Sequence, residues 1–208
     1  MSFFSKIFRS ESAGEAGSAE LEARLKALEQ EAGSARPGYQ GTPYNRAGDL
    51  ALRAGHRTRA VEYYGRAINA FLEDQQREAA RGVANKIIRV HPKAVRTLCT
   101  LTWLDLAARH KATALLHLRD YVEAAYEIGE NDRAANQILA MARICPQLEF
   151  VDAVADALDS LGFDERASNV RDWAREGGSP DMIRDGQELA DRCMEAAVNS
   201  ARPGTGGA

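Results

Sequence analysis

Apolar residues recur with helical spacing along most of the chain, from residue 43 to about residue 175. Alanine and leucine dominate this stretch, and both favour helices. β-branched residues do not cluster, and no Asn-Gly or Asp-Gly turn joins two alternating runs, so strands are not predicted. The pattern therefore predicts an all-α fold, in which the helices are separated by breaks near Gly55, Asp74, Pro92, Lys111, Gly129, Pro146 and Gly162.

Residues 1–40 differ from this helical region and predict a flexible N-terminal arm. Residues 11–19 are Ser, Gly, Ala and Glu, which is typical of a flexible linker. A short helix is predicted over residues 18–32, followed by a second linker over residues 33–43 that is rich in Gly and Pro. The leucine spacing of this short helix is too brief to establish a coiled coil, which leaves dimerisation, docking on the main domain and marginal helicity open.

The first ten residues contain four apolar side chains that would share one helical face, with Lys6 and Arg9 off it. This pattern is that of a small amphipathic anchor for a membrane surface or for a partner's groove. A frayed tail is the alternative, because so short a helix is unstable by itself in water. The anchor hypothesis rests on Phe3, Phe4, Ile7 and Phe8.

Targeting signals and cysteines bear on where the protein works. No run approaches the ~20 apolar residues that span a bilayer, and the most apolar stretch is interrupted by Asp105. The N-terminus is too short and too mixed for a secretory signal. The three cysteines lie far apart and cannot all pair, which fits a reducing compartment. We therefore expect a cytoplasmic bacterial protein. Weak peripheral contact with the inner membrane through residues 1–10 is left open.

The first predicted helix pair carries large and small residues in a defined order, which are Tyr44, Ala47, Gly48, Ala51, Gly55, Ala60, Tyr64 and Ala67. This pattern resembles the tetratricopeptide repeat (TPR), a helical hairpin of about 34 residues. The resemblance implies that the large residues fill the space between the helices and that the small ones stand where the helices approach closely. The spacing from Gly55 to Ala60 recurs from Gly129 to Ala134 and from Gly162 to Ala167.

Gly55, Pro92, Gly129 and Gly162 mark intervals of 37, 37 and 33 residues. Intervals of this size are typical of stacked helical hairpins. The prediction is a right-handed α-solenoid over residues 41–180, with a capping helix over 181–200 and a disordered tail over 201–208. Trp103 and Trp173 are expected to pack in its core or between its repeats. The four hairpins would span residues 41–74, 78–111, 115–147 and 148–180.

The TPR resemblance implies a concave groove that is lined by the first helix of each hairpin. Family members that bind chaperones hold a terminal carboxylate with lysine and asparagine, and Asp49 argues against that ligand here. The groove positions that the resemblance implies are Asn45, Asp49, Arg53, Lys86, Arg89, Arg119, Glu123, Tyr126, Glu127, Glu149, Asp152, Asp156 and Asp159.

Charge is distributed unevenly along this region. Residues 77–119 hold nine Lys+Arg and two Asp+Glu, whereas residues 120–165 hold two Arg and eleven Asp+Glu. A groove that is basic at one end and acidic at the other would orient a peptide of complementary charge or drive head-to-tail self-association. A solvated outer face is the alternative for the acidic stripe of Asp152, Asp156 and Asp159. The formal net charge of -3 argues against a basic nucleic-acid binder.

Catalytic motifs are missing from the sequence: it has no P-loop, GxGxxG, HExxH or GxSxG pattern. His110 and His117 lie seven residues apart without a further ligand nearby in sequence, and no CxxC motif occurs. No catalytic, cofactor-binding or metal-binding residue is therefore predicted. The leading hypothesis is a non-enzymatic adaptor that binds a peptide or helix in the groove. The alternatives are a nucleic-acid-linked regulator that uses the basic middle hairpin, and an enzyme with an unrecognised site.

Overall fold

The computed structural model describes residues 3–202, with side chains from residue 18 onward. All regular structure in this part of the chain is helical, which confirms the all-α prediction. The helices are α1 (Phe3–Ser34), α2 (Gly41–Arg53), α3 (Arg57–Glu73), α4 (Arg77–Val90), α5 (Val95–Ala107), α6 (Lys111–Glu127), α7 (Asn131–Ile144), α8 (Leu148–Ser160), α9 (Asp164–Glu176) and α10 (Gly186–Ala201). They form two compact units, Met1–Gln76 and Arg77–Ala208. None of the described helices is both long and apolar enough to cross a bilayer.

The first unit is built on the antiparallel hairpin of α2 and α3. A Cβ atom added at Gly48 would lie 2.5 Å from the ring of Tyr64, and one added at Gly41 would lie 2.5 Å from the ring of Phe71. Only glycine allows the two helices to approach so closely. The turn residue Gly55 has a φ of +84°, the left-handed conformation that glycine tolerates best. The hairpin predicted over residues 41–74 is therefore present, with large and small residues in the predicted roles.

Helix α1 docks on this hairpin through a buried stripe and four polar contacts. Leu25 and Ala32 are buried, while Arg46 of α2 donates to Glu31 over 2.9 Å. The other contacts reach α3: Arg59 pairs with Glu22, and Tyr63 and Arg66 lie 3.0 and 3.2 Å from the same Glu29 oxygen. Docking, one of the three alternatives left open by the sequence, is thus what the structure shows for residues 18–32.

The linker predicted over residues 11–19 is wrong, because α1 is a continuous helix from Phe3. Alanine and glutamate in that stretch are good helix formers, and they outweigh its two glycines. The side chains of the predicted anchor, Phe3, Phe4, Ile7 and Phe8, lie outside the described residues, as do residues 203–208 of the predicted tail.

In the second unit one of the three predicted hairpins is present, because α8 and α9 form the hairpin predicted over residues 148–180. The other helices pair differently from the prediction. The most extensive contacts join α5 to α6, α5 to α10, and α8 to α9, so the close hairpin is α5–α6 instead of one over residues 78–111 or 115–147. Its turn is formed by Arg109, which has a φ of +58°. The prediction failed because it sought turns at glycine and proline, whereas here an arginine takes the left-handed conformation.

The observed period is 54 residues and comprises three helices. Helices α2 and α5 each have 13 residues, α3 and α6 have 17, and α4 and α7 have 14. The positive-φ residues Gly55 and Arg109 lie one period apart, and so do Gln75 and Gly129. Pro92 and Pro146 follow the same period. A three-helix period differs from the two-helix period of the TPR resemblance.

Helix α5 lies at the centre of the second unit. Every residue from 98 to 107 is buried, because α4, α6 and α10 all pack against this helix. A helix that is apolar on most sides must be enclosed in this way. Trp103 is buried, as predicted, and its Nε1 donates to Gln137 over 3.2 Å, whereas Trp173 is only half-buried.

Helix α10 was predicted as a cap after the fourth hairpin, but its main partner is α5. The hydroxyl groups of Thr100 and Ser200 lie 2.9 Å apart in a buried contact between the two helices. The apolar stripe along α5 needs a cover on this side, and the buried residues Leu189, Cys193 and Ala197 of α10 meet that need. The C-terminal helix therefore completes the middle of the second unit.

Candidate functional site: the groove between α6 and α8

An apolar cavity of about 570 Å³ lies between α6 and α8 in the second unit. Lys111 and Glu149, at the starts of the two helices, form an ion pair. Both helices then line the same cavity toward their C-terminal ends, so they run in broadly the same direction. The α6 side extends from Leu115 to Tyr126, a length of about 16 Å at 1.5 Å per residue. We call this cavity the α6–α8 groove, and it is lined by Leu115, Leu118, Arg119, Val122, Glu123, Tyr126, Ala153, Asp156, Ala157 and Ser160.

Side-chain size explains why the groove is open. Helix α8 presents the small residues Ala153 and Ala157 to it, while larger residues such as Phe150 and Val154 anchor α8 in the core. Because two alanines cannot reach across to the aliphatic side chains of α6, space remains between the helices. The rim residue Tyr126 is 61% exposed. A large aromatic side chain left this exposed is a common feature of binding surfaces.

Ion pairs organise the charge on the groove's rim. Arg171 of α9 donates to Asp156 over 3.1 Å and also binds Asp159. Both carboxylates hold the guanidinium in its charged form and raise the pKa of Arg171. Arg119 pairs with the neighbouring Asp120 over 2.9 Å. The rim therefore carries more carboxylates than cations near the lining residue Glu123.

Four of the residues predicted for a groove lie together in this lining: Arg119, Glu123, Tyr126 and Asp156. The other predicted positions lie outside it. On α8 these are Glu149, Asp152 and Asp159, and on α6 it is Glu127, which binds Lys93. Lys86 and Arg89 belong to α4 and are likewise absent from the lining.

The first unit holds the remaining predicted positions, Asn45, Asp49 and Arg53, all on α2. Asp49 accepts a 2.7 Å hydrogen bond from the Tyr64 hydroxyl. Burial is the main cause of the raised pKa of Tyr64, and this bond adds to it. Asp49 therefore helps to hold α2 against α3, which is a structural role that the sequence did not indicate.

The apolar part of the lining was missed at the sequence level. The predicted groove set followed polar positions carried over from the TPR resemblance, so it omitted Leu115, Leu118 and Val122. The signal was available, because these residues recur at the three- and four-residue spacing of one helix face. Nothing in the spacing of Ala153 and Ala157 shows which alanines face a cavity.

A second polar cluster surrounds Asp105 in the same unit. This carboxylate is fully buried, with Arg81 Nε at 2.8 Å and His117 Nδ1 at 2.7 Å. His110 Nδ1 lies 3.8 Å away. Helix α5 places Asp105 between the two histidines, a proximity that their spacing in the sequence did not indicate. Arg81 lies on α4 and His117 on α6, so the cluster joins three helices and lies outside the groove lining.

The described residues contain no group of three His, Cys, Asp or Glu side chains placed to hold a metal ion. Burial raises the pKa of Cys99 and Cys193 to about 12 and that of Cys145 to about 11. These thiols are therefore protonated at neutral pH, and a protonated thiol is a poor nucleophile.

The α6–α8 groove is thus the site in which a sequence-level hypothesis and a structural cavity coincide. The TPR resemblance stays a hypothesis carried by the residues given above. The chain was compared with protein-family models, with curated proteins and with solved structures, and none of them matches it.

Proposed function

We propose that this protein is a non-enzymatic interaction module that binds an amphipathic helix of a protein partner in the α6–α8 groove. The observation that carries this proposal is the apolar cavity of about 570 Å³ between two parallel helices, bordered by charged residues. Its length of about 16 Å matches three turns of an α-helix. Grooves of this kind bind a helix through apolar side chains spaced three or four residues apart.

The charge of the rim favours a partner helix with basic flanks. Glu123 and Asp156 border the apolar lining on opposite helices, together with Arg119. Because Asp156 already pairs with Arg171, Glu123 is the carboxylate that a lysine or arginine beside the partner's apolar stripe would meet first. Charge complementarity of this type mainly sets the orientation and the association rate.

Nucleic-acid binding through the basic middle region is disfavoured by the contacts of its cations. Arg81 binds the buried Asp105, Lys93 binds Glu127 and Lys111 binds Glu149. Because a nucleic acid would have to break these pairs, the same cations are less available for phosphate contacts. We therefore propose an adaptor of the TPR-like type that works in the bacterial cytoplasm, with residues 1–10 as its route to a membrane or a second partner.

Peptide selection tests the proposal. Helix-forming peptides are selected from a displayed library against the full chain, and their affinity is measured by fluorescence anisotropy. The groove variant Ala153→Arg fills the cavity from a half-buried position, and Ala140→Arg places the same side chain on an exposed site of α7. We expect Ala153→Arg to weaken binding by about tenfold or more, a loss of ~1.4 kcal/mol, and Ala140→Arg to leave it unchanged.

Two further results bear on this experiment. The selected peptides should share an apolar stripe with basic flanks, and Glu123→Lys should weaken them about threefold, as for one exposed ion pair. Circular dichroism should show that Ala153→Arg keeps its helices. Binding that is equal for the wild type, Ala153→Arg and Ala140→Arg would contradict a role for the groove.

A further inference from the structure

We propose that the α6–α8 groove binds the N-terminal segment, residues 1–10, of a second copy of this chain. The inference rests on the proposed function, because it names the helix that the groove holds. Three observations within the separate units support it: the reach of α1, the sequence at its end and the charge on the groove's rim.

The reach of α1 follows from its register on α3. Glu22 pairs with Arg59 and Glu29 with Arg66, so the two helices run parallel with a constant offset of 37 residues. At this offset residue 20 is level with Arg57, where α3 begins. The backbone from Phe3 to residue 19 therefore extends past the start of α3 by about 25 Å. Helix α1 is an arm that outreaches the hairpin on which it docks.

The arm ends in a sequence suited to an apolar groove. Phe3, Phe4, Ile7 and Phe8 are spaced so that one face of a helix carries them all. Ten helical residues measure about 15 Å, close to the length of the groove. Four large apolar residues this close in sequence are unfavourable in contact with water, and binding in the groove of a second copy would remove them from it.

Charges on the two surfaces are partly complementary. The segment contains Lys6 and Arg9 as its only charged side chains, whereas the charged lining residues are Glu123, Asp156 and Arg119, an excess of one carboxylate. With the spacing of a helix, Lys6 flanks the apolar face next to Phe3, where it would meet a carboxylate on the rim, and Arg9 lies on the opposite side of the segment. Because these contacts are exposed, they contribute to orientation more than to affinity.

The geometry of exchange gives a closed dimer. If each copy inserts its arm into the other's groove, the two contacts are identical and related by a two-fold axis. A buried phenylalanine removes about 150–250 Å² from water. The three phenylalanines of two arms therefore bury on the order of 1,000 Å² before the groove walls are counted, which reaches the size of specific interfaces.

Sedimentation equilibrium of the full chain tests the inference. The arm variant replaces Phe3, Phe4, Ile7 and Phe8 with serine, and the groove variant is Ala153→Arg. We expect the wild type and the control Ala140→Arg to be dimers that dissociate on dilution, and the two variants to be monomers. An equimolar mixture of the arm and groove variants should associate, because one intact arm and one intact groove remain. A wild type that stays monomeric, or a mixture that does not associate, overturns the proposal.

A labelled peptide of residues 1–12 separates this inference from the proposed function. The peptide should bind the arm variant, whose groove is intact. Its affinity for the groove variant should be lower by about tenfold or more. If library-selected helices bind in a manner that depends on Ala153 but this peptide does not, the second-copy inference fails and the proposed function stands. If neither binds, both fail.

Two other destinations of the arm are outcomes that overturn the inference. A wild type that is monomeric but binds the labelled peptide more weakly than the arm variant would place the arm in the groove of its own chain. Pelleting of the full chain with phosphatidylserine vesicles that is lost in the arm variant, without self-association in their absence, would assign the arm to a membrane surface.

Discussion

The hairpins α2–α3 and α5–α6 lie one 54-residue period apart, and different residues fill the space between their helices. Both have helices of 13 and 17 residues and a left-handed turn, at Gly55 in one and Arg109 in the other. In the first, Gly48 faces the ring of Tyr64. In the second, the corresponding residues are Thr102 and Leu118, both buried. From the first hairpin to the second, the residue on one helix becomes larger, from Gly48 to Thr102, and the residue facing it becomes smaller, from Tyr64 to Leu118. The total side-chain volume between the helices is therefore what the fold requires.

The two hairpins differ most in their polar content. Ala51 of the first hairpin is buried without any polar group, and its counterpart one period later is Asp105. Asp105 contacts Arg81 and His117, and these contacts join α4, α5 and α6. A buried carboxylate is costly unless it is paired. The second hairpin therefore depends on its partners from other helices in a way that the first does not.

The largest expected effect comes from removing that buried carboxylate. Asp105→Ala removes the nearer carboxylate partner of the Arg81 guanidinium, which keeps a 3.9 Å contact with Glu78. It should lower the free energy of unfolding by about 3 kcal/mol, the lower end for broken buried pairs, because Arg81 stays partly hydrated. Urea denaturation followed by circular dichroism measures the loss. Asp156→Ala, whose carboxylate is 82% exposed, is the matched control and should cost ~0.5 kcal/mol or less. Equal losses would show that the Asp105 cluster is not important for stability.

Gly48→Ala should have the next largest effect, in the other hairpin. The new Cβ would lie 2.5 Å from the Tyr64 ring, and we expect overpacking to lower the free energy of unfolding by about 2 kcal/mol. Gly65→Ala in α3 meets no atom within 4 Å and should raise the same quantity by about 0.5–1 kcal/mol. Urea denaturation of both variants checks the contrast, and a stabilised Gly48→Ala protein would argue against close helix approach.

Alkaline pH should affect the second unit through its buried thiols. Burial raises the pKa of Cys193 from the ordinary 9.0 to about 12, so only the unfolded thiol ionises between these values. The unfolded state then binds fewer protons, and stability falls as pH rises above about 9. Between pH 8 and pH 10 the wild type should lose about 1.4 kcal/mol more than Cys193→Ala. Denaturation curves at the two pH values test this, and equal losses would contradict a protonated buried thiol.

The smallest effects are expected at the two turns. Gly55→Ala forces a Cβ into the left-handed conformation and should lower the free energy of unfolding by about 1 kcal/mol. Arg109→Gly removes the strain of a side chain in the same conformation, but glycine also raises the entropy of the unfolded state. The free energy of unfolding should therefore increase by less than about 1 kcal/mol. The signs of the two changes, measured by thermal unfolding, are opposite if the turns are equivalent. A destabilised Arg109→Gly protein would mean that the arginine side chain is needed there.

The sequence predicts the parts of this fold that depend on local chemistry. Helical spacing identifies the helices, and the pairing of Gly48 with Tyr64 is predicted because only small residues allow two helices to touch. Arg109 shows the limit, because an arginine does not by itself favour the left-handed conformation that it takes here. The hairpins predicted over residues 78–111 and 115–147 were therefore wrong, whereas the hairpin predicted over residues 148–180 is present as α8–α9.

The candidate site shows the same limit. Arg119, Glu123, Tyr126 and Asp156 were predicted by the TPR resemblance and do lie in one lining. The apolar residues between them were not predicted, because a buried face and a groove face have the same periodicity. Asp105 looked like an interruption in an apolar run, since its partners come from residues 24 positions before it and 12 after it.

The position of α10 on α5 has a consequence for trimming the chain. In a modular array, loss of the last segment strips only the outermost layer and leaves the rest intact. Here the final segment seals the middle of its unit, so a protease that removes it uncovers Thr100 and the adjacent wall of α5. Cleavage before α10 would thus first destabilise α5, the central helix of the second unit.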